Sequence, residues 1–156
     1  MPVSRMKVKQ QVDYVCRGPD GKIKWEHHTE KNTITELYDV LVADRLSGGS
    51  DTLITHAHCG TGTGQGSSDT NLATPCAENR TAIDSMTQGS AAADNDIVIV
   101  ITFPAGVCTA SIEEAGLFTS ITYTDANMMA YDDSISKTKA AADSLELTWT
   151  LVHGAS

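Results

Sequence analysis

The residues best suited to chemistry are two histidines and a cysteine in the segment His56-Ala-His58-Cys59. On a β-strand, side chains two positions apart share a face, so His56 and His58 can meet one metal ion while Cys59 points away. A complete site needs further ligands. The imidazoles that the fold would have to bring in are His27, His28 and His153. Because paired histidines on a strand are more often solvated, we predict no metal ligands. A metal-binding protein using His56 and His58 is the alternative.

Two further patterns invite a catalytic interpretation. The glycine-rich residues 60–66 follow a predicted strand, but they lack the Gly-Lys-Ser/Thr of a phosphate loop and break the Gly-x-Gly-x-x-Gly spacing. We therefore predict a mobile surface loop there. The adjacent acidic pairs are Glu113-Glu114 and Asp132-Asp133. Neighbours on a strand point to opposite faces, whereas catalytic carboxylates face each other across a substrate.

We expect these acidic side chains to be solvated. If Glu113 or Glu114 is buried, it needs a donor such as Arg80. The chain has no Gly-x-Ser-x-Gly elbow of the kind that presents a nucleophilic serine. The sequence therefore predicts no catalytic residue, no cofactor-binding residue and no enzymatic activity.

These residues must be positioned by β-strands. Residues 97–101 are five consecutive β-branched aliphatics, which predicts a strand at 96–103 that is covered on both faces. Alternating polar and apolar residues predict a hairpin over 6–29 and a closing strand at 144–153. Shorter strands are predicted at residues 53–59, 81–88, 109–119, with a kink or bulge at Gly116, and 127–131.

One helix is predicted over residues 33–46. Thr33 and Glu36 match a capping box, and Gly48-Gly49 follows as a stop signal. The stripe expected to face the core is Ile34, Leu37, Tyr38, Leu41, Arg45 and Leu46. The predicted fold is mainly β, an antiparallel β-sandwich of jelly-roll type with this helix packed on it. We expect a single domain over 1–156, with residues 1–31 as a projecting N-terminal hairpin.

Composition excludes several classes of function. The formal net charge of −9 argues against direct binding to a nucleic-acid backbone. No apolar run approaches the ~18 residues of a membrane span, and the N-terminus has no signal-peptide stretch, which predicts a product that stays in the cytoplasm. Four cysteines stand far apart without a Cys-x-x-Cys, so we expect free, mostly buried thiols, with disulfides open if the protein ends up outside the cell.

Three segments in a fixed order carry a resemblance. The first is Asn-Thr-Ile-Thr-Glu-Leu-Tyr-Asp-Val-Leu-Val-Ala-Asp-Arg-Leu at 32–46, followed by Gly-Gly. The second is Ile-Thr-His-Ala-His-Cys-Gly-Thr-Gly-Thr-Gly at 54–64. The third is Ile-Glu-Glu-Ala-Gly-Leu-Phe at 112–118, with a final Thr-Trp strand. Over residues 32–152 this order resembles small β-rich virion structural proteins of tailed bacteriophages, which are capsid decoration (cement) or tail-associated proteins.

The resemblance implies assembly without catalysis. It implies a decoration protein that binds and stabilises the capsid shell as an oligomer, with tail, baseplate or fibre proteins as the alternative. The implied partners are other copies of the chain, as a trimer or ring, and the major capsid protein or tail proteins, with no membrane. The implied location is the virion, after assembly in the host cytoplasm. A carbohydrate-binding sandwich is a further alternative, but Trp25 and Trp149 lie on apolar strand faces, which favours core packing.

Overall fold

The computed structural model describes residues 7–30, 33–89 and 95–154. It is mainly β with one helix and with antiparallel sheets packed together, which confirms the predicted fold class. Within these ranges, no helix is long and apolar enough to cross a membrane. The elements in chain order are β1 (Val8–Arg17), β2 (Ile23–Thr29), β3 (Thr33–Ile34), α1 (Glu36–Leu46), β4 (His56–Gly60), β5 (Thr81–Ala82), β6 (Ser85–Gln88), β7 (Asp96–Phe103), β8 (Ala110–Ile112), β9 (Glu114–Phe118), β10 (Met128–Asp132), β11 (Lys137–Lys139) and β12 (Ser144–His153).

Two five-stranded antiparallel sheets form the sandwich. Sheet A has the order β2-β1-β12-β7-β6, and sheet B has the order β3-β10-β9-β4-β5. β8 and β11 pair separately as a two-stranded ribbon. The closing strand β12 therefore lies at the centre of sheet A, between the first strand and the β-branched strand β7.

The core lies between the two sheets, and alternating side chains build it. In β1, Val12, Tyr14 and Cys16 are buried while their neighbours face outward, as a strand with one apolar face requires. Leu145 and Trp149 do the same in β12. Sheet B contributes its own buried residues to the same apolar cluster, including Ala57, Cys59, Ala115, Leu117 and Ala130.

The N-terminal hairpin forms as predicted but does not project from the described domain. β1 pairs along its whole length with β12, from Val8 opposite His153 to Arg17 opposite Ser144. The turn between β1 and β2 uses Gly21 at a φ of 79°, a backbone conformation that glycine adopts without strain. The hairpin is therefore part of the sandwich because its apolar face is needed in the core.

Three strand predictions need correction. The predicted strand 81–88 is two strands in different sheets, β5 in sheet B and β6 in sheet A. The predicted strand 109–119 breaks at Glu113 into β8 and β9, and Gly116 is regularly paired. The predicted strand 53–59 begins only at His56. β7 has the predicted bounds, but Val98 and Val100 on its second face are only half-buried. Periodicity could not distinguish these cases because chain reversals interrupt short apolar runs.

The helix is shorter than predicted and begins after a different residue. Thr33 belongs to strand β3, so it cannot cap the helix. The N-cap residue is Thr35, whose hydroxyl donates to the carbonyl oxygens of Met128 and Met129 in β10 at 2.6 and 3.0 Å. This contact ties the start of α1 to sheet B. The predicted glycine stop is confirmed, since Gly48 has a φ of 85° just after the helix.

A polar contact across the core links the two sheets. The Tyr14 hydroxyl in β1 donates to the Asp132 carboxylate in β10 at 2.6 Å, and both residues are buried. Asp132 also accepts hydrogen bonds from the backbone amide and the hydroxyl of Ser134. Burial and this carboxylate raise the pKa of Tyr14, so the hydroxyl stays protonated and keeps its role as donor.

We predict that Tyr14→Phe lowers the free energy of unfolding by about 1.5–3 kcal/mol, because a buried carboxylate oxygen loses its donor. Urea unfolding followed by circular dichroism measures the change. Tyr123→Phe is the matched control, since Tyr123 is only half-buried in a surface loop. Equal stability of the Tyr14→Phe variant and the unaltered protein would contradict the prediction.

Candidate functional site

One concave feature is an apolar groove between α1 and one end of sheet A, here called the α1 groove. Its volume is about 620 Å³. Most of its lining is aliphatic or aromatic and comes from α1, the segment before β4, and strands β6, β7 and β12. The apolar lining residues are Tyr38, Leu41, Val42, Leu46, Leu53, Ile54, Met86, Ile97 and Leu151.

The rim of the α1 groove exposes two leucines. Leu46 is 82% exposed and Leu53 is 42% exposed. The sequence predicted Leu46 as part of the core-facing stripe, but only Tyr38 and Leu41 of the helix are buried. Leu46 is the last helical residue before Gly48-Gly49, so the helix ends where it would otherwise turn toward the sheet. Both leucines lie on the lining of the same apolar groove, so they form a candidate contact surface.

Two polar side chains of the α1 groove, Tyr38 and His153, contact each other. The Tyr38 hydroxyl donates to Nε2 of His153 at 2.5 Å, and Nδ1 of His153 lies 3.3 Å from the backbone oxygen of Asn95. Burial raises the pKa of Tyr38 to about 12, so its hydroxyl is protonated near neutral pH. These contacts fix the side chains of Tyr38 and His153.

A second feature is the long connection between β4 and β5, here called the β4–β5 connection (residues 61–80). The sequence predicted a mobile surface loop at residues 60–66 and irregular structure at 69–80, and the described backbone is irregular. However, the loop is anchored at several points. The Gly64 amide donates to Asp133 at 3.0 Å, and the Tyr131 hydroxyl donates to the Gln65 carbonyl. Asp133 is therefore used to hold backbone, as is its buried neighbour Asp132, and neither is simply solvated.

The main anchor is the buried carboxylate of Glu114 at the start of β9. One oxygen accepts the amides of Thr74 at 2.8 Å and Gly62 at 3.1 Å, and the other accepts the amide of Ala73 at 3.0 Å. Gly60 lies so close that an added Cβ would overlap the Thr74 carbonyl and reach 2.5 Å from this carboxylate. The expectation that Glu114 is solvated is wrong, because its side chain is buried. Its donors are backbone amides and not Arg80, the donor suggested for a buried glutamate.

Arg80 instead holds the loop between β9 and β10. Its guanidinium donates to the Asn127 side chain at 2.7 Å and to the Asp125 carbonyl at 2.6 Å, with further bonds to Ser120. It also lies 3.6 Å above the centre of the Phe118 ring, a cation–π contact. Burial lowers the pKa of Arg80 to about 10, which leaves it charged at neutral pH.

The two histidines singled out by the sequence have different surroundings. Nδ1 of His56 lies 2.8 Å from the Thr55 hydroxyl, and burial lowers the pKa of His56. His58 is fully buried, with Nε2 2.9 Å from the Cys76 carbonyl and Nδ1 3.7 Å from Sγ of Cys108. The structure therefore places His58 beside the two cysteines Cys76 and Cys108, whereas His56 contacts Thr55.

These cysteines form a cluster that the sequence analysis missed. Cys76, Glu78 and Cys108 each present a ligand atom, and these atoms lie within 4.8 Å of one another. Cys76 and Glu78 lie in the β4–β5 connection, whereas Cys108 lies between β7 and β8. The only local signal was the Cys-x-Glu spacing at 76–78, which is too short and too common to identify a site. All four cysteines are free thiols, as predicted.

Comparison of the chain with protein-family models, with curated protein sequences and with solved structures found no match.

We predict that Glu114→Gln lowers the free energy of unfolding by about 2–3 kcal/mol. Only the oxygen of the glutamine amide accepts hydrogen bonds, so its NH₂ group cannot replace the second carboxylate oxygen as acceptor for the three backbone N–H groups. The measurement is urea unfolding. Glu113→Gln is the matched control, since Glu113 is half-buried and contacts only the Ser136 hydroxyl at 3.4 Å among the recorded side-chain bonds. A control change larger than that of Glu114→Gln would refute this account.

Proposed function

We propose that the protein is a virion structural protein of a tailed bacteriophage, and specifically a capsid decoration protein that binds and stabilises the shell as an oligomer. The observation that carries the proposal is the α1 groove with its exposed leucine rim. The order of the helix, the His-Ala-His strand with its glycine loop, and the Glu-Ala-Gly-Leu-Phe strand supports it independently. No catalytic group is assigned.

The chemistry of the α1 groove favours contact with another protein surface. The exposed leucines Leu46 and Leu53 contribute apolar area that water disfavours, and burying one such side chain is worth roughly 1.5–3 kcal/mol. The charged side chains in the lining are few, namely Arg45 and Asp96, besides His153. Two copies can therefore meet at this surface even though the whole chain carries a net charge of −9.

The α1 groove also adjoins the outer strand of sheet A. Met86 and Thr87 of β6 line the groove, and β6 is the end strand of its sheet in the described residues. An end strand beside an apolar groove suits a second copy, because one surface can supply strand contacts together with a pocket for side chains. Closed symmetry then repeats this single interface in a trimer or ring.

We expect the protein in purified particles at high copy number. A decoration protein is repeated with the shell lattice, which gives on the order of hundreds of copies, whereas a tail, baseplate or fibre component follows the lower symmetry of the tail. Quantitative mass spectrometry of purified particles measures the ratio of this chain to the major capsid protein. Absence from the particle would reject a virion role, and a few to dozens of copies would favour the tail alternative.

A second prediction concerns association in solution. Leu46→Lys places a charge on the groove rim, so we expect the affinity between copies to fall at least about tenfold, which corresponds to 1.4 kcal/mol. Sedimentation velocity over a range of protein concentrations measures it. Ile121→Lys is the matched control, because Ile121 is 53% exposed and lies outside the groove lining.

The fold should tolerate both substitutions, since each side chain is more than half exposed. Circular dichroism and thermal unfolding check this. Equal loss of association in both variants, or a wild-type protein that stays monomeric at every concentration, would contradict the α1 groove as the surface that joins copies.

A further inference from the structure

Three metal-binding side chains converge from separate parts of the chain. The thiol sulfurs of Cys76 and Cys108 and a carboxylate oxygen of Glu78 lie within 4.8 Å of one another. Cys108 also donates its backbone amide to Glu78, which holds the carboxylate beside the sulfur. Cys76 and Cys108 are separated by 31 intervening positions in the sequence, so the fold creates this grouping.

A buried imidazole lies beside this cluster, against Cys108, in the orientation that a ligand needs. Nε2 of His58 lies 2.9 Å from the Cys76 carbonyl oxygen. A carbonyl oxygen can only accept a hydrogen bond, so the ring hydrogen is on Nε2. The lone pair is then on Nδ1, which lies 3.7 Å from Sγ of Cys108. Histidines that bind metals usually donate their other ring N–H to a carbonyl or carboxylate in this way.

The backbone at Cys108 supports a special role for this position. Cys108 has a φ of 52°, a left-handed conformation that is uncommon for a residue with a side chain. Such conformations are retained where the surrounding structure requires one side-chain direction. Here that direction brings the sulfur against both Cys76 and His58.

We propose that Cys76, Cys108, Glu78 and His58 bind one Zn²⁺ ion in a four-coordinate structural site. Zinc prefers thiolate and imidazole ligands in tetrahedral geometry, with Zn–S near 2.3 Å and Zn–N near 2.0–2.1 Å. These bond lengths put a sulfur and a nitrogen about 3.6 Å apart, close to the 3.7 Å between Cys108 and His58. The ligand atoms of Cys76, Glu78 and Cys108 lie within 4.8 Å of one another and need to close by roughly 1 Å at most for zinc bond lengths. Binding releases the two thiol protons to solvent, since zinc takes thiolates.

Simple packing of free thiols explains less of this arrangement. Cys59 illustrates the packing role, because it is fully buried in the main apolar cluster between the sheets, to which Cys108 also belongs. The Cys59 thiol also contacts Cys108. Cys59 nevertheless lies on the face of β4 that packs into the core. A packed cluster does not require a neutral imidazole with its lone pair toward a thiol, or a carboxylate held beside two sulfurs. Those two features favour a metal site over simple packing of thiols.

The ion would join three segments that secondary structure alone connects weakly. His58 is in β4, Cys76 and Glu78 end the β4–β5 connection, and Cys108 lies between β7 and β8. Zinc there fixes the C-terminal half of an irregular twenty-residue connection onto the sandwich. This is a stabilising role that is compatible with an assembly protein, and it does not depend on the function proposed above.

The test uses the full chain, reduced and freed of metal with a chelator. We expect one equivalent of Zn²⁺ to bind and to raise the thermal unfolding midpoint. Co²⁺ in its place should give a thiolate-to-cobalt charge-transfer absorption, which reports sulfur ligation directly in the unaltered protein. Less than about a tenth of an equivalent of zinc, or cobalt binding without that absorption, would overturn the proposal.

Variants identify the ligands. Cys108→Ser and His58→Gln should each weaken zinc binding by at least about tenfold, since even an outer-shell partner is worth about 10–100-fold. Cys16→Ser is the matched control, because Cys16 is a buried free thiol whose recorded partner is Asp143 at 3.8 Å. We expect its zinc affinity to be unchanged. Unchanged zinc affinity in Cys108→Ser, or an equal loss in Cys16→Ser, would also overturn the proposal.

Discussion

The buried carboxylate of Glu114 is the constraint on which the irregular part of the molecule depends. A charge removed from water at the start of β9 must be compensated by donors, and three backbone amides of the β4–β5 connection supply them. The connection has little regular secondary structure, so its own amides need acceptors just as much. The two requirements satisfy each other. A twenty-residue loop thereby gains a fixed path over sheet B.

Arg80 extends the same principle to the end of that connection. Its guanidinium is buried over Phe118 and is matched by carbonyl, amide and hydroxyl oxygens of the loop between β9 and β10. Multiple hydrogen bonds from one planar group fix several backbone positions at once. Glu114 and Arg80 therefore act as separate anchors with neutral partners. They do not form the ion pair that sequence reasoning suggested.

The sequence predicted those elements whose residues carry their own pattern. β1, β7 and β12 were found because each is long and reads as alternating or β-branched residues. The fold class followed from them. The divided strands were missed because a break at Glu113, or a change of sheet after Ala82, leaves no periodic signal in runs of two to five residues. The helix start was misplaced because the Thr35 hydroxyl donates hydrogen bonds to β10, a contact that depends on tertiary structure.

The candidate sites were less predictable for the same reason. The donors around Glu114 are backbone amides, and no residue type in the sequence shows which amides these are. The Cys76 and Cys108 pair is distant in sequence, and only His58 of the suggested histidine pair joins it. Leu46 was assigned to the core because spacing alone does not show where a helix leaves the sheet. Residue types in the His-Ala-His segment were informative, whereas their partners required the fold.

The two candidate sites lie toward opposite ends of one strand, which keeps their roles separate. Asp96 and Ile97 at the start of β7 line the α1 groove, while its last residue, Phe103, leads into the turn that carries Cys108. Seven steps of an extended strand span about 23 Å. Effects of substitutions at such distances usually add independently. A change at the groove rim should therefore alter association without altering the thiol cluster. β7 thus runs from the α1 groove at its start to the turn that carries Cys108 after its end.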